Sequence, residues 1–294
     1  MRVKVSVIMI AYNQEATIGE AIRSVVKQRA PFAFELIVAD DASTDSTAAV
    51  AEEWQRRYPD IVRVIRREKN LGLQANFLDA WSRVKGEYVA ICEGDDHWSS
   101  ASKLRRQAEW LDAHPDYSLV FHRVWNHYAD TKTLSLSNPR QQTDITLEDL
   151  ARGNVITNLS VMYRAIPFGE LPEWIREIKL FDYAFHSLHL ARGKGRFIGR
   201  PMAVYRRYSR GIWSGDPQRA LRLALDVRER LINHFADSRP EAAANYREAA
   251  EAIRQKLAGG GEGESGNNTA QPKPRLLSRV RAAVMRLVPV PRIR

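Results

Sequence analysis

The first hundred residues alternate between two hydrophobic periods, and this restricts the chain more than any other feature. Val3 to Ala11 is almost wholly apolar and rich in Val and Ile, as in a strand covered on both faces. Asn13 is placed to cap a helix carrying Ile18, Ala21, Ile22, Val25 and Val26 on one face. Phe34 to Ala39 reads as a second buried strand, and Ser43 as the cap of a helix running to about Arg57. Ile61 to Ile65 is expected to be a third strand. Asn70-Leu71-Gly72 then turns into a helix through Trp81. Glu87 to Cys92 reads as a fourth strand and Leu104 to Ala113 as a helix. Such alternation with short links predicts an α/β fold, a mostly parallel sheet with helices on both faces.

In such a sheet the ligand crevice lies beyond the carboxyl ends of the strands. Tyr12-Asn13, Asp40-Asp41, Asn70 and Glu93 to Asp96 each follow a strand, so they are expected to converge on one rim. Further on, Tyr117 to Val124 and Val155 to Tyr163 read as strands. Leu180 to Ala191 reads as a helix with Phe181, Phe185, Leu188 and His189 inward, and Arg196 to Tyr205 as extended chain. Two long helices, Gln218 to Phe235 and Pro240 to Leu257, follow. The expected organisation is a main domain over 1–215, a helical extension over 216–257, a glycine-rich flexible linker over 258–274 and a tail over 275–294.

Hydrophobic residues at 44% and charged residues at 27% exclude wholesale disorder and a collagen-like chain. The formal charge is +10, but seven basic residues and no acidic one lie between Lys273 and Arg294. The basic balance therefore belongs to a tail, and no nucleic-acid partner is expected. From Arg275 to Val288, helical spacing sets Leu276, Val280, Val284, Leu287 and Val288 opposite Arg275, Arg279 and Arg286. That pattern suits an anionic membrane surface. A disordered tail and a partner-docking helix are the open alternatives. No run of eighteen apolar residues is present, and the start lacks a secretory signal pattern. With Cys92 the lone cysteine, a cytoplasmic protein is expected, peripheral on the inner face of the membrane if the tail binds there.

Carboxylates gathered at strand ends are costly unless something positive sits among them. Glu93-Gly94-Asp95-Asp96 offers hard oxygen ligands within four residues, suited to Mg2+ or Mn2+ shared with a substrate diphosphate. The plainer reading is an acidic turn that caps the helix near Ser99. Asp40-Asp41 reads equally as a helix cap with Ser43 and as an acceptor for a nucleobase imide. Tyr12 either stacks on a base or covers the sheet edge.

Five segments in order carry a resemblance: Val5 to Asn13, Ile37 to Asp45, Asn70-Leu71-Gly72, Gly86 to Ala90, and Glu93 to Asp96. Over about the first 125 residues, and more weakly to about residue 215, the chain resembles a family 2 glycosyltransferase of the GT-A fold. The resemblance implies a nucleotide-sugar donor, a divalent metal and inversion at the anomeric carbon. It places Tyr12 against the donor base and Asp41 as its hydrogen-bond acceptor, and brings Ala11, Glu15 and Asn70 into the same nucleotide-sugar site. Asp95 and Asp96 match the aspartate motif that holds donor and metal. Glu93 stands where many members have an aspartate. The general base implied is Asp182, within Lys179 to Phe185; the alternative is that Asp182 only caps its helix. Related enzymes often read Tyr-Arg-x-His where this chain has Tyr205-Arg206-Arg207-Tyr208. A histidine ligand at 208 is thus absent, and Arg206, Arg207 or Arg210 is left to neutralise the diphosphate.

The acceptor implied is a hydroxyl of a glycan or lipid-linked glycan, as in surface polysaccharide synthesis. Two rivals stand beside this reading. A sugar-nucleotide nucleotidyltransferase would need a glycine-rich basic loop after the first strand, where Ala11 to Glu15 is neither. A non-catalytic basic membrane binder leaves the acidic rim unexplained. His122, His127, His186 and His189 are expected to pack or face solvent, Trp98 to line the sugar pocket or shield the acidic loop, and Trp213 to lie on a loop that orders over donor. Asn158 and Ser160 read either as acceptor contacts or as buried strand.

Overall fold

The computed structural model describes residues 2–208 and 216–259. Arg210, Trp213 and the amphipathic tail lie outside the described residues, as does the linker from residue 260.

The chain begins with β1 (Val3–Ala11), α1 (Ile18–Val26), β2 (Ala33–Asp40), α2 (Thr47–Arg57), β3 (Val62–Arg66), α3 (Leu73–Ser82) and β4 (Tyr88–Ile91). Next come a two-residue β5 (His97–Trp98), α4 (Lys103–Ala113), β6 (Tyr117–Tyr128), β7 (Thr133–Leu136), β8 (Asp144–Ile145) and α5 (Leu147–Arg152). A 3-10 turn over Asn158–Ser160 leads to β9 (Met162–Arg164), α6 (Phe181–Leu190), β10 (Lys194–Arg207), α7 (Pro217–Phe235) and α8 (Pro240–Gly259). The sheet order is β3-β2-β1-β4-β9-β6-β10-β5, with β7 on β6 and β8 on β10. Strands β3, β2, β1 and β4 pair in parallel, as do β6 and β10, while β9 runs antiparallel between β4 and β6. From β1 the chain goes to β2 on one side and later to β4 on the other. The crevice expected at such a reversal opens beyond Ala11 and Ile91.

Alternation along β1 explains its sequence. Val5, Val7 and Met9 join the apolar cluster under α1 and α4, and Ile8 joins the cluster on the opposite face. Ser6 is fully buried, so its hydroxyl needs partners: it donates to Glu35 Oε1 at 2.7 Å and accepts from the Gly86 N–H at 2.9 Å. A Cβ on Gly86 would lie 2.5 Å from the Ser6 backbone nitrogen, which cannot move without breaking the sheet. Gly86→Ala is therefore expected to cost about 3 kcal/mol or more. Urea unfolding checks this, and a midpoint equal to that of wild type would refute the close approach.

Three local expectations are corrected. Asn13 does not cap α1; the helix starts at Ile18, and Asn13 adopts a left-handed φ of 51°. Ser43 does not cap α2, which starts four residues later, at Thr47. Both side chains are instead used to bind the two loops together. Val155 to Tyr163 is not one strand. Ser160 Oγ donates to the Thr157 carbonyl at 2.6 Å, a local bond that competes with extended pairing.

Helices α7 and α8 share the main core. Val227, Leu231 and Phe235 of α7, with Ala242, Ala243 and Tyr246 of α8, pack with α6 and α5. The Tyr246 hydroxyl donates to Ser187 Oγ at 2.8 Å, tying α8 to the helix that carries Asp182. His186 and His189 on that helix are buried, and burial pushes both down to about 3, so they pack as neutral rings. No described helix is long and apolar enough to cross a membrane.

Candidate active site at the sheet rim

The loops after β1 and β2 are fastened by reciprocal bonds. The Asn13 N–H donates to Ser43 Oγ at 3.0 Å, and the Thr44 N–H to Asn13 Oδ1 at 2.9 Å. The Gln14 N–H donates to Thr47 Oγ1, the Glu15 N–H to Asp45 Oδ2, and the Ser46 N–H to Glu15 Oε2 at 2.9 Å. This lattice presents Tyr12, which is 48% exposed although it directly follows a buried strand. Ala11 is buried in the apolar cluster, and its carbonyl accepts the Asp41 N–H at 2.9 Å.

Asp41 is buried and shapes the next loop. Its Oδ1 accepts the Leu71 N–H at 2.8 Å and its Oδ2 the Gly72 N–H at 2.9 Å, while Asn70 Nδ2 donates to its carbonyl at 3.1 Å. Gly72 takes φ 84°, the left-handed region that a side chain would strain. Each Asp41 oxygen keeps capacity for one more donor. Asp40 turns inward: Oδ2 accepts the Ser43 N–H at 3.1 Å, and Oδ1 has no hydrogen-bond partner.

Beyond β4, Gly94 lets the acidic loop lie against the first loop, since a Cβ there would overlap the Gln14 amide and the Ile18 side chain. Glu93 Oε1 accepts from Asn158 Nδ2 at 2.6 Å, and Glu93 Oε2 is buried without a partner. Burial pushes the Glu93 carboxyl up to about 7, helped by the charges of Asp95 and Asp182 and opposed by the Asn158 bond. Burial, then the Asp95 and Glu93 charges, hold Asp96 well above the ordinary carboxylate range. Asp95 is raised by burial and partly relieved by Arg206. Three crowded carboxyls that ionise reluctantly form a site short of positive charge.

Arg206 supplies part of that charge. Its N–H donates to Asp96 Oδ1 at 2.7 Å, its Nη1 to the Asp95 carbonyl at 2.7 Å, and its other arm pairs with Glu20. Arg207, next along β10, projects to the opposite side, where its Nε donates to Asn126 Oδ1 at 2.9 Å. The two side chains therefore leave β10 on opposite faces. A cleft of about 450 Å³ opens here, bounded by Tyr12, Gln14, Glu15, Asp45, Asp95 and Tyr208.

Asp182 sits in the first turn of α6, partly buried. The N-cap of that helix is Leu180, so Asp182 is not its cap. Its charge adds to the upward pull of burial on Glu93 and Tyr163. Trp98 lies under that loop, 4% exposed, with its indole N–H donating to the Leu159 carbonyl at 3.2 Å. It supports the loop from beneath. Sequence reading missed Glu20, which looked like one more charge on an exposed helix face, and the Asn158–Glu93 bond, which spans 65 positions.

Among the described residues no group of three or more His, Cys, Asp or Glu is placed to hold a metal by itself. The chemistry of the donor set still fits a hard dication: Asp95 and Asp96 offer two carboxylates, the neighbouring Glu93 keeps one carboxylate oxygen without a hydrogen-bond partner, and a diphosphate with water can complete the shell.

Comparison with known proteins agrees with this geometry. Residues 6–209 match the model for Glycosyl transferase family 2. An uncharacterized protein of Mycobacterium tuberculosis (strain ATCC 25618 / H37Rv) is 40% identical over 210 residues, covering 71% of this chain and 60% of that protein. The chain thus spans well under two thirds of that relative's length. The poly(ribitol-phosphate) beta-glucosyltransferase of Bacillus spizizenii (strain ATCC 23059 / NRRL B-14472 / W23) is 34% identical over 103 residues, 35% of this chain and 16% of that protein. Among solved structures, S. aureus TarS 1-349 in complex with UDP-GlcNAc aligns with a TM-score of 0.60 at 18% identity, covering 86% of this chain and 92% of that one. The mannosyltransferase PcManGT from Pyrobaculum calidifontis, in complex with GDP-Man and Mn2+, gives 0.58 at 19% identity, covering 97% and 82%. These likenesses identify the fold as GT-A. With the family model matching more than half of its length, the chain belongs to glycosyl transferase family 2.

Proposed function

We propose that this chain is an inverting, metal-dependent glycosyltransferase that moves a sugar from a nucleotide-sugar donor to a hydroxyl of a glycan or lipid-linked glycan. The observation that carries the reading is the meeting of Asp95, Asp96 and Arg206 at the sheet's reversal point. Neighbours of the same fold that hold UDP-GlcNAc, or GDP-Man with Mn2+, support it.

Tyr12 covers the donor base, and Asp41 accepts from it while bracing the Asn70–Gly72 turn. Asp95 and Asp96 would hold Mn2+ or Mg2+, which when bound supplies Lewis acidity toward the diphosphate leaving group. Arg206, anchored by Glu20, adds positive charge on the diphosphate side, with Arg207 as the second candidate contact. Asp182 takes the proton from the acceptor hydroxyl as that oxygen bonds to the anomeric carbon and the carbon–phosphate-oxygen bond breaks. One displacement inverts the configuration, and no nucleophilic side chain is needed. An aspartate with an ordinary pKa of about 4 is a weak base toward an alcohol, so the proton moves late. We place the protein in the cytoplasm, with surface polysaccharide synthesis as its setting and the basic tail as its contact with the inner membrane face.

The test is transfer itself. Purified chain is supplied with UDP-, GDP- and dTDP-sugars, Mn2+ and lipid-linked glycan acceptors. The reading expects acceptor-dependent release of one nucleoside diphosphate and a product whose anomeric configuration, read by NMR, is opposite to the donor's. Retention of configuration would remove the single-displacement mechanism.

A further inference from the structure

Large apolar side chains left in solvent gather at one end of this molecule. Strand β6 runs in the direction of β1 and β4, because β9 lies antiparallel to both β4 and β6, and β10 runs with β6. The carboxyl ends of these strands therefore lie at the rim that bears the cleft. Among the described residues eight large hydrophobic side chains are exposed, and seven of them follow or border strand ends on that rim. The exception is Tyr58, at the far end of α2. Tyr12 and Tyr208 bound the donor cleft, and Leu71 and Leu73 flank the Gly72 turn that Asp41 braces. The donor site does not account for Tyr128, Leu134 and Leu136.

Those three belong to the hairpin of β6 and β7, which adjoins the cleft. The Ala129 N–H donates to the Arg207 carbonyl at 3.1 Å, one residue before Tyr208. Leu134 lies opposite His127 and Leu136 opposite Trp125, so both leucines leave β7 on one face. Leu134 is 60% exposed and Leu136 40%. Lys132, also exposed, leads into the strand from the turn.

The helical extension reaches the same end. Helix α6 stops four positions before β10 starts, so its last turn lies at the foot of the sheet and its first turn toward the rim. Helix α7 runs alongside it in the same sense. The Arg228 guanidinium stands 4.8 Å from the ring of Tyr183 in the first turn of α6, and His234 borders a cavity with Leu188 and Ala191 at its other end. Pro217 precedes Arg228 by eleven positions, so α7 projects roughly 16 Å past that first turn. Helix α8 returns beside it, with Ile253 and Leu257 against Leu221, and so ends at the projecting tip. Arg219, Arg222 and Lys256 are exposed there. From this tip the chain continues into residues 260–294, with their seven basic residues and no acidic one after Lys273.

We propose that the cleft end of the molecule is a membrane-facing surface: Leu134 and Leu136 enter the headgroup region of an anionic bilayer, Lys132 and the basic tip of α7 and α8 meet its phosphates, and the cleft thereby opens toward a lipid-borne acceptor. Exposed leucines beside a lysine, and a basic chain exit at the same end, complement such a surface in both apolarity and charge. The tail tethers, and the hairpin orients. The acceptor in this inference rests on the transferase reading above; the surface itself does not.

Full-length protein on vesicles of phosphatidylcholine with phosphatidylglycerol provides the test. Leu134→Ser/Leu136→Ser is expected to lower partitioning by on the order of ten-fold, as loss of two partly buried leucines implies. Tyr58→Ser, at the opposite end, stays within about two-fold of wild type. A second measurement reads orientation. Cys92 is buried, so a maleimide dye attaches to the thiol introduced by Leu134→Cys or by Tyr58→Cys. The dye at position 134 is expected to shift to the blue on vesicles while the dye at position 58 keeps its emission. Equal shifts at both positions, or none at 134, overturn the proposal. So does equal binding of wild type to phosphatidylcholine alone, which removes the anionic partner. Self-association that the double serine variant abolishes, with vesicle binding unchanged, assigns the face to a second copy of this chain and overturns it too. A wild type that binds no vesicle sinks the tail contact and this inference together, while the transferase reading stands or falls on sugar transfer. Vesicle binding with an unshifted dye at 134 sinks the inference alone.

Discussion

Asp182→Asn is expected to lower sugar transfer by on the order of 10² to 10⁴-fold, the usual worth of a positioned general base. Asn preserves the size of the side chain and an oxygen in place of Oδ1, which accepts the Tyr183 N–H at 2.8 Å, so α6 keeps its start. What is lost is the site that receives the acceptor's proton. Donor binding, built from loops after β1, β2 and β4, is expected to stay within about two-fold of wild type, because the base interacts with the acceptor side. The loss falls on kcat and kcat/KM together. Steady-state kinetics at saturating donor check this, and transfer at near-native rate would remove Asp182 from the mechanism.

The second large effect concerns Asp96. Asp96→Asn keeps an oxygen for the Arg206 N–H but removes a charge from a loop already crowded with carboxyls. Metal-dependent nucleotide binding is expected to weaken by on the order of 100-fold, since affinity for a hard dication follows ligand charge. Stability should move the other way. Burial and the charges of Asp95 and Glu93 disfavour ionised Asp96, so the metal-free variant is expected to unfold at a higher temperature, by a few degrees for about 1 kcal/mol. Opposite signs for affinity and stability mark a functional cluster whose groups are poorly matched to each other without a ligand. A variant that loses both stability and affinity would instead assign Asp96 to holding the loop together.

The sheet and its rim were legible because they rest on short-range patterns. Seven apolar residues among the nine of β1 and the amphipathic face of α1 declare themselves within one window, and strand ends follow from where polar residues resume. The rim then follows from topology, because parallel strands put their carboxyl ends on one side. Cap assignments failed for Asn13 and Ser43 because both side chains found partners 30 or more positions away, and a local rule cannot see such partners. Arg206 and Arg207 were indistinguishable as neighbours in the chain; one residue of strand alternation sends the first guanidinium to the Asp95 carbonyl and Glu20 and the second to Asn126. Lys103 and Trp98 illustrate the same limit from the other side. A lysine at the start of a helix after an acidic turn reads as solvent-exposed, and only the packing of α4 on β6 buries it.

The central claim is that the cluster of negative side chains beyond β4 is a seat for a dication held jointly with a nucleotide sugar. Thermal unfolding across a panel of UDP-, GDP- and dTDP-sugars, with Mn2+ and then with EDTA, tests it most directly, because a ligand that binds only the folded state raises its melting temperature. The account predicts a concentration-dependent rise for at least one donor in Mn2+ that disappears in EDTA. No rise with any donor in Mn2+, or an equal rise in EDTA, would contradict it.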